Sequence, residues 1–241
     1  MYDYGKVAVI LPALNESVTV GSVVDGALRH GCDVYVVNDN SADNTSEKAL
    51  EAGAQVLTLP FTSGAWNAIQ TGILYAVKLG KYEYFLTMDA DGQHDPESIP
   101  ALVACIESSH ANVVVGSCPL RGSRARRCVW SLFTLLTRLK IRDMTSGLRL
   151  YDKSAVTAVL TREAAMYDYQ DLEVLLLLRR RKMKIAELPV VMHPRRDGSS
   201  RVYRSWWAVA DYMVRTCMGI VADWVSASGR RAGDWREYDS I

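Results

Sequence analysis

A regular alternation of short apolar runs and helix-like segments is the feature that most constrains the fold of this chain. The apolar runs are rich in valine and isoleucine, and most end at a glycine or at a polar loop. This order predicts an α/β fold with a mostly parallel sheet and helices on both faces. We predict strands at 6–11, 33–37, 55–59, 84–88, 112–116 and 184–192, and helices at 17–29, 46–52, 66–79, 129–139, 155–160 and 171–181.

Two helix starts can be predicted from capping chemistry. Ser17 is a candidate N-cap for the first helix, which Gly31 then terminates. Asp95 is a candidate N-cap with Pro96 at the first helical position. The second start follows closely on the fourth strand.

Polar side chains follow three of the predicted strands directly. They are the pairs Asn15-Glu16 and Asn38-Asp39, and the two aspartates Asp89 and Asp91. Ligands of parallel α/β sheets bind at the carboxyl ends of the strands. We therefore expect these three clusters to converge on one edge of the sheet.

The run from Asp89 to Gln93 is a candidate metal site. Two carboxylates on one loop, with the Gln93 amide two positions on, are hard oxygen ligands that suit Mg²⁺ or Mn²⁺. Two such aspartates are more often solvated turn residues, but the post-strand position favours function. Two roles for Asp39 stay equally open. Its carboxylate either binds a base or ribose hydroxyl of a nucleotide, or it is a turn residue or helix cap.

Basic charge is concentrated locally, although the formal net charge is only +1. Residues 121–142 carry seven Arg or Lys and no Asp or Glu, and Arg179-Arg180-Arg181-Lys182 forms a second cluster. Such clusters bind phosphates or anionic membranes. No nucleic-acid recognition module is readable, so we expect no nucleic-acid partner.

The remaining composition favours a cytoplasmic location. Five cysteines without a Cys-x-x-Cys pair indicate neither a disulfide framework nor a zinc site. We also expect no signal peptide and no membrane-spanning helix. An apolar helix predicted at 206–224, with Trp206, Trp207 and Trp224, lies either in the membrane interface or against the core or a second subunit.

Six stretches in order resemble the family 2 glycosyltransferases, and within them the dolichyl-phosphate mannose synthase and polyprenyl-phosphate glycosyltransferase group. The resemblance covers about residues 5–205. The stretches are VAVILPALNES from Val7, VVNDNSADNT from Val36, SGAWNAIQTGILYA from Ser63, FLTMDADGQHDPESIPAL from Phe85, DMTSGLRLYDK from Asp143, and YQDLEVLL from Tyr169 with ELPVVMHPRRDGSSR ending at Arg201.

The resemblance implies a GT-A (Rossmann-like) domain at 1–205. The sequence itself predicts that the amphipathic helix (206–225) follows this domain, and that the polar, glycine-containing residues 226–241 form a flexible tail. It implies inverting, metal-dependent transfer of a hexose, mannose or glucose, from a GDP- or UDP-linked sugar to a polyprenyl phosphate, on the cytoplasmic membrane face. It assigns the nucleotide and donor to Pro12, Ala13, Asn15, Glu16, Asp39, Asp89, Ala90 and Asp91, the metal to Asp89, Asp91 and Gln93, and the acceptor phosphate to Arg121, Ser146, Arg149, Arg195 and Arg201.

The chain departs from the family pattern at three places. Asn38 stands where a first aspartate is usual, Ala65-Trp66 follows Gly64 where a lysine is often found, and Ser117 precedes Cys118-Pro119 rather than an arginine. Arg121 or Arg124 is a candidate substitute for that arginine. These changes bear on the choice of sugar and acceptor.

Two acceptor chemistries stay open. A phosphate acceptor is already ionised and needs no strong base, with Asp91 and Arg149 then the central catalytic candidates. A polysaccharide or glycolipid hydroxyl would need a carboxylate base, for which Asp171 and Glu173 are candidates, although both also suit a helix N-terminus. A non-catalytic nucleotide-binding module is a third interpretation. The missing Gly-x-Gly-x-x-Gly disfavours a dinucleotide oxidoreductase.

Overall fold

The first strand lies in the interior of the sheet, as expected for a strand whose residues are all apolar. In the computed structural model, which describes residues 2–118, 137, 141–167 and 170–194, this strand (β1) spans Val7–Ala13 and is almost fully buried. A strand buried on both faces has no polar side, as expected for a parallel sheet. The other strands are β2 (Asp33–Asn38), β3 (Gln55–Thr58), β4 (Tyr84–Thr87), β5 (Val113–Ser117), β6 (Arg149–Asp152) and β7 (Ile185–Pro189).

These strands form a seven-stranded sheet in the order β3-β2-β1-β4-β6-β5-β7. β6 runs antiparallel to both of its neighbours, β4 and β5, and the remaining pairs are parallel. The predicted mostly parallel α/β architecture is therefore confirmed. Because β6 is reversed, its first residue, Arg149, pairs with Thr87 at the carboxyl end of β4.

Helices cover both faces of the sheet. Their bounds are α1 Val20–Arg29, α2 Thr45–Glu51, α3 Ala65–Lys78, α4 Ile99–Ser109, α5 Lys153–Val159, α6 Arg162–Ala165 and α7 Leu172–Arg180. Alternate residues of β1 (Val7, Val9 and Leu11) pack in one core cluster with α1, α2 and α4. On the other face, Gly72 of α3 lies so close to β1 that a Cβ there would stand 2.6 Å from Ile10 Cγ2.

One predicted cap is confirmed and the other is wrong. Asp95 accepts a hydrogen bond from the Glu97 amide, and Pro96 begins a short 3-10 helix that leads into α4. Ser17 does not cap α1, which begins at Val20 after Thr19. The Ser17 amide instead donates to Asp43 from the loop after β2, so a tertiary contact replaces the local cap.

Two elements were not predicted from the sequence, namely β6 and the one-turn helix α6. The helices predicted at 129–139 and 206–225 and the tail at 226–241 lie outside the described residues, except for Thr137. All described residues belong to one compact unit, Met1–Gly198. Within the described part of the chain, no helix is long and apolar enough to cross a membrane.

Candidate functional site

The loops that follow β1 and β2 are joined by reciprocal hydrogen bonds. The Asn15 amide donates to Ser41 Oγ at 2.9 Å, and Asn15 Oδ1 accepts from the Ala42 amide at 2.7 Å. Asn15 has a φ of 52°, a left-handed conformation that asparagine tolerates better than most residues. The Glu16 amide adds a bond to Thr45 Oγ1 at 2.9 Å. Two of the predicted polar clusters are thus brought together.

The third cluster is joined to the first through Thr19. Thr19 Oγ1 donates to the carbonyl of Ala90 at 2.8 Å, and both residues are almost fully buried. Ala90 lies between the two aspartates of the predicted metal loop. The expected convergence at the carboxyl edge of the sheet is therefore confirmed for all three clusters.

Asp39 is held by the loop that precedes α3. One carboxylate oxygen accepts from the amide and hydroxyl of Ser63, at 2.7 and 3.0 Å, and the other accepts from the Gly64 amide at 2.9 Å. The carboxylate is 3% exposed. The structure thus gives Asp39 a loop-organising role, and its contact with a nucleoside stays a prediction.

The side-chain amide of Asn38, which stands where the family usually has an aspartate, is hydrogen-bonded at both ends. Its Nδ2 donates to Ser46 Oγ at 2.6 Å, while its Oδ1 accepts from the Ser41 amide at 2.9 Å. An aspartate has no donor for the first bond unless it is protonated. Asn38 therefore uses both ends of its amide to shape the loop after β2.

Asp43 is a further carboxylate at this edge that sequence reasoning did not single out. Burial acts to raise its pKa, but hydrogen bonds from Thr45 and from the Ser17 amide outweigh burial and hold the pKa below its usual range. Asp43 is therefore ionised at neutral pH and helps to join the first two loops.

The residues Asp89, Asp91 and Gln93 fit a divalent cation of the Mg²⁺ or Mn²⁺ kind. The Asp89 side chain is 41% exposed. Asp91 is buried, and its Oδ1 accepts a hydrogen bond from the backbone N–H of Gln93 at 3.0 Å. In the described ranges, no group of three or more His, Cys, Asp or Glu is placed to hold a metal. A site with two carboxylates suits Mg²⁺ and Mn²⁺, since substrate phosphates and water complete their coordination.

His94 joins the metal loop to the chain that follows β7. Its imidazole is 1% exposed and its Nε2 lies 3.1 Å from Asp89 Oδ2. Its backbone forms an isolated bridge with Met192, and the His193 amide donates to the Gln93 carbonyl at 2.8 Å. The segment 190–194, which leads towards the predicted phosphate ligand Arg195, is therefore anchored on the metal loop.

Ser146 and Arg149, predicted to hold the acceptor phosphate, are both fully buried. Ser146 Oγ donates to the Gly116 carbonyl, and the Arg149 guanidinium donates to the carbonyls of Ser146, Met144 and Asp171. In this arrangement Ser146 and Arg149 stabilise the 143–149 loop through hydrogen bonds to backbone carbonyls. Their direct contact with a phosphate stays a prediction.

The start of α7 lies beside the end of β4. Gln170 Nε2 donates to Thr87 Oγ1 at 2.9 Å and to the Tyr151 hydroxyl at 2.6 Å. Asp171 occupies the N-cap position, but its side chain makes no capping bond, and Glu173 lies in the first turn. The two candidate base residues are thus brought to the same edge as the metal loop.

Three predicted phosphate ligands, Arg121, Arg195 and Arg201, lie outside the described residues. Pro12 is half-buried, Ala13 is buried on β1, and Glu16 is buried in the loop after it. Thr19 and His94 were not identified as site residues from the sequence. Their contacts are with residues distant in sequence or depend on a buried ring, and no local pattern signals either.

The doubly wound sheet, with one reversed strand and with carboxylates gathered at its carboxyl edge, has the GT-A architecture. The chain belongs to glycosyl transferase family 2, whose sequence profile matches residues 8–171. The predicted family and enzyme class are confirmed.

Relatives and a solved structure agree with this assignment. The chain is 28% identical over 247 residues to an undecaprenyl-phosphate mannosyltransferase of Micrococcus luteus, covering 93% of this chain and 98% of that protein. It is 29% identical over 210 residues to a UDP-N-acetylglucosamine–dolichyl-phosphate N-acetylglucosaminyltransferase of Methanococcus voltae, covering 75% and 83%. Its fold is similar to glucosyl-3-phosphoglycerate synthase of Mycobacterium tuberculosis crystallised with Mn²⁺ and UDP-glucose, with a TM-score of 0.70, 19% identity, and 90% and 78% coverage.

Proposed function

We propose that this protein transfers a hexose, mannose or glucose, from a nucleoside diphosphate sugar to a polyprenyl phosphate. The observation that carries the proposal is the convergence of the Asp89–Gln93 loop with the loops after β1 and β2 and with the 143–149 loop. The names of the two relatives support a polyprenyl phosphate acceptor.

The donor is assigned to the loops after β1 and β2. Asn15, Glu16, Asp39 and the strand end at Pro12 and Ala13 surround the carboxyl edge where a nucleoside would bind. The hydroxyl and N–H groups of a nucleoside can donate hydrogen bonds to a carboxylate. Both GDP- and UDP-linked sugars suit this chemistry.

Asp89, Asp91 and Gln93 are proposed to hold Mg²⁺ or Mn²⁺ next to the donor diphosphate. When bound, the cation supplies positive charge that stabilises the leaving diphosphate. The glucosyl-3-phosphoglycerate synthase of similar fold was crystallised with Mn²⁺ and UDP-glucose, which supports this proposal. Thr19, through its bond to Ala90, fixes the backbone between the two aspartates.

A phosphate acceptor requires positive charge rather than a base. In the proposed step an acceptor phosphate oxygen bonds to the anomeric carbon from the side opposite the diphosphate, and the breaking C–O bond leaves its electron pair on the nucleoside diphosphate. The sugar carbon is thereby inverted. Arg121, Arg195 and Arg201 are proposed to bind the acceptor phosphate, and the buried Arg149 adds positive charge beneath the loop.

The experiment offers GDP-mannose, UDP-glucose and UDP-N-acetylglucosamine with either a polyprenyl phosphate or a glycolipid hydroxyl as acceptor. We expect an acid-labile glycosyl phosphate to form, and we expect Asp171→Asn and Glu173→Gln to retain this turnover. Glu163→Gln, which alters an exposed carboxylate on α6, is the matched control. Transfer only to a hydroxyl, abolished by both variants but not by the control, would replace the phosphate acceptor with base-catalysed glycosylation.

We also propose peripheral attachment at the cytoplasmic membrane face through the sequence-predicted helix at 206–225 and the basic stretch at 121–142. Charge attraction to anionic lipids falls with ionic strength. Co-sedimentation with anionic and neutral liposomes should therefore show salt-sensitive binding to the anionic ones only. No binding to anionic liposomes at low salt would refute the attachment, and a core or second subunit would then be the partner of that helix.

A further inference from the structure

We propose that His94 and Gly147 are positioning residues that together set the orientation of the Asp89 carboxylate. The inference rests on the proposed function, in which Asp89 binds the divalent cation. His94 acts on one side of the carboxylate through a hydrogen bond. Gly147 acts because it has no Cβ, which leaves room for the Asp89 carboxylate.

The His94 ring is oriented towards Asp89 and is otherwise enclosed. Its Nε2 lies 3.1 Å from Asp89 Oδ2, and because a carboxylate accepts, the histidine is the donor. Its Nδ1 is buried without a hydrogen-bond partner among the described residues. Burying an imidazole with one unsatisfied nitrogen costs free energy that an apolar side chain of similar size would avoid. The bond to Asp89 is therefore the contact that accounts for a histidine at this position.

The backbone of His94 is fixed independently of Asp89. The bridge to Met192 and the bond from the His193 amide to the Gln93 carbonyl hold it on the segment after β7. A ring attached to a fixed backbone and enclosed in the core has little freedom to turn. Its Nε2 can therefore define where Asp89 Oδ2 lies.

Gly147 lies directly against the same carboxylate. A Cβ on Gly147 would stand 2.7 Å from Asp89 Oδ1 and 2.9 Å from Oδ2, closer than real Cβ contacts. The glycine itself is held, since its carbonyl accepts from Thr87 Oγ1 at 2.8 Å and Ser146 is bonded to the Gly116 carbonyl. Its φ lies outside the left-handed region, so space rather than backbone conformation requires a glycine.

The two contacts join the metal loop to the 143–149 loop at one carboxylate. A carboxylate whose orientation is preset loses less side-chain freedom when it binds a cation. Groups that orient metal-binding side chains typically change metal affinity 10–100-fold when they are removed. The same range is expected for His94 and Gly147.

The test measures the Mn²⁺ dissociation constant by electron paramagnetic resonance in the presence of a nucleoside diphosphate. We expect His94→Leu and Gly147→Ala each to weaken Mn²⁺ binding about 10–100-fold. His94→Gln should recover most of the affinity, because its Nε2 amide can donate at a similar reach. Gly21→Ala is the matched glycine control, since the nearest neighbour of its Cβ would be 3.8 Å away, and should leave the affinity unchanged.

A second measurement needs no metal. Gly147→Ala should lower the Tm of the metal-free protein by roughly 2–4 °C, and this loss should disappear in an Asp89→Ala background, where no carboxylate remains to be displaced. If the wild-type protein does not bind Mn²⁺, the proposed function is refuted. The Tm comparison of Gly147→Ala with and without Asp89→Ala would still test the contact between Gly147 and Asp89. The inference alone would be overturned if wild type binds Mn²⁺ and both His94→Leu and Gly147→Ala bind it equally well. It would also be overturned if Gly147→Ala lowers the Tm by the same amount in the Asp89→Ala background.

Discussion

Replacing Thr19 by valine removes the hydrogen bond that joins α1 to the metal loop and keeps the shape of the side chain. Thr19 Oγ1 lies 2.8 Å from the Ala90 carbonyl, and both residues are almost fully buried. A buried carbonyl left without its donor costs about 1–3 kcal/mol. For a chain of this size each kcal/mol corresponds to about 2–4 °C in Tm.

The free energy of unfolding is measured by urea titration, and the Mn²⁺ dissociation constant is measured on the same samples. We expect Thr19→Val to lower the unfolding free energy by about 1–3 kcal/mol and to weaken Mn²⁺ binding, because Ala90 separates Asp89 from Asp91. Thr19→Ser keeps the donor and should lose less.

Thr71→Val is the matched control. Its hydroxyl donates to the Asn67 carbonyl on the exposed side of α3, where water can replace it. We expect a change within about 0.5 kcal/mol for this variant. Equal unfolding free energies for Thr19→Val and Thr71→Val would refute the conclusion that the Thr19 bond holds the metal loop.

Three further predictions concern the frame of the site. Gly72→Ala should cost about 1–3 kcal/mol of unfolding free energy, because its Cβ would meet two side chains of the central strands; stability equal to that of Gly21→Ala would contradict this. Asp39→Asn should cost about 1–3 kcal/mol without any nucleotide, since an amide nitrogen would face backbone donors; an unchanged denaturant midpoint would exclude the loop-organising role. Asp43 has a lowered folded-state pKa, so its stabilisation is present above an unfolded pKa of about 3.9 and is lost as pH falls through the folded value; the stability gap to Asp43→Asn should narrow below about pH 4, and a constant gap would refute the shift.

The strand and helix order could be predicted because each element is short, apolar and bounded by local signals. β1 is a continuous apolar run, β5 begins with three valines, and Asp95 with Pro96 is a local cap. The convergence of the three polar clusters followed from the parallel arrangement of the strands that precede them. No long-range information was needed for these conclusions.

The reversed strand β6 could not be predicted in the same way. It has only four residues, begins with Arg149, and is a strand because both its edges pair with β4 and β5. The loop before it therefore reaches the metal site through a pairing that periodicity does not encode. The same holds for the start of α1, which begins at Val20 while the Ser17 amide donates to Asp43 in the loop after β2.

The site residues divide in a similar manner. The place of the Asp89–Gln93 loop at the carboxyl edge of the sheet could be predicted because the loop directly follows β4, and its binding of a metal stays a prediction. The burial of Ser146 and Arg149 beneath the 143–149 loop was not, because an arginine in a polar loop is usually solvated and here the β6 pairing places it in the core. Sequence position alone cannot show whether such a side chain faces the ligand or supports the loop.

Asp89 and Asp91 are proposed to hold a cation that binds the donor diphosphate. The most direct measurement is the thermal shift of wild type and Asp91→Asn with a panel of nucleotide sugars, with and without Mn²⁺. A donor at about 100 times its dissociation constant should stabilise wild type by about 2.7 kcal/mol when Mn²⁺ is present. Asp91→Asn should lose the metal-dependent part of that shift. Donor stabilisation that is independent of Mn²⁺, or that persists in Asp91→Asn, would contradict the account.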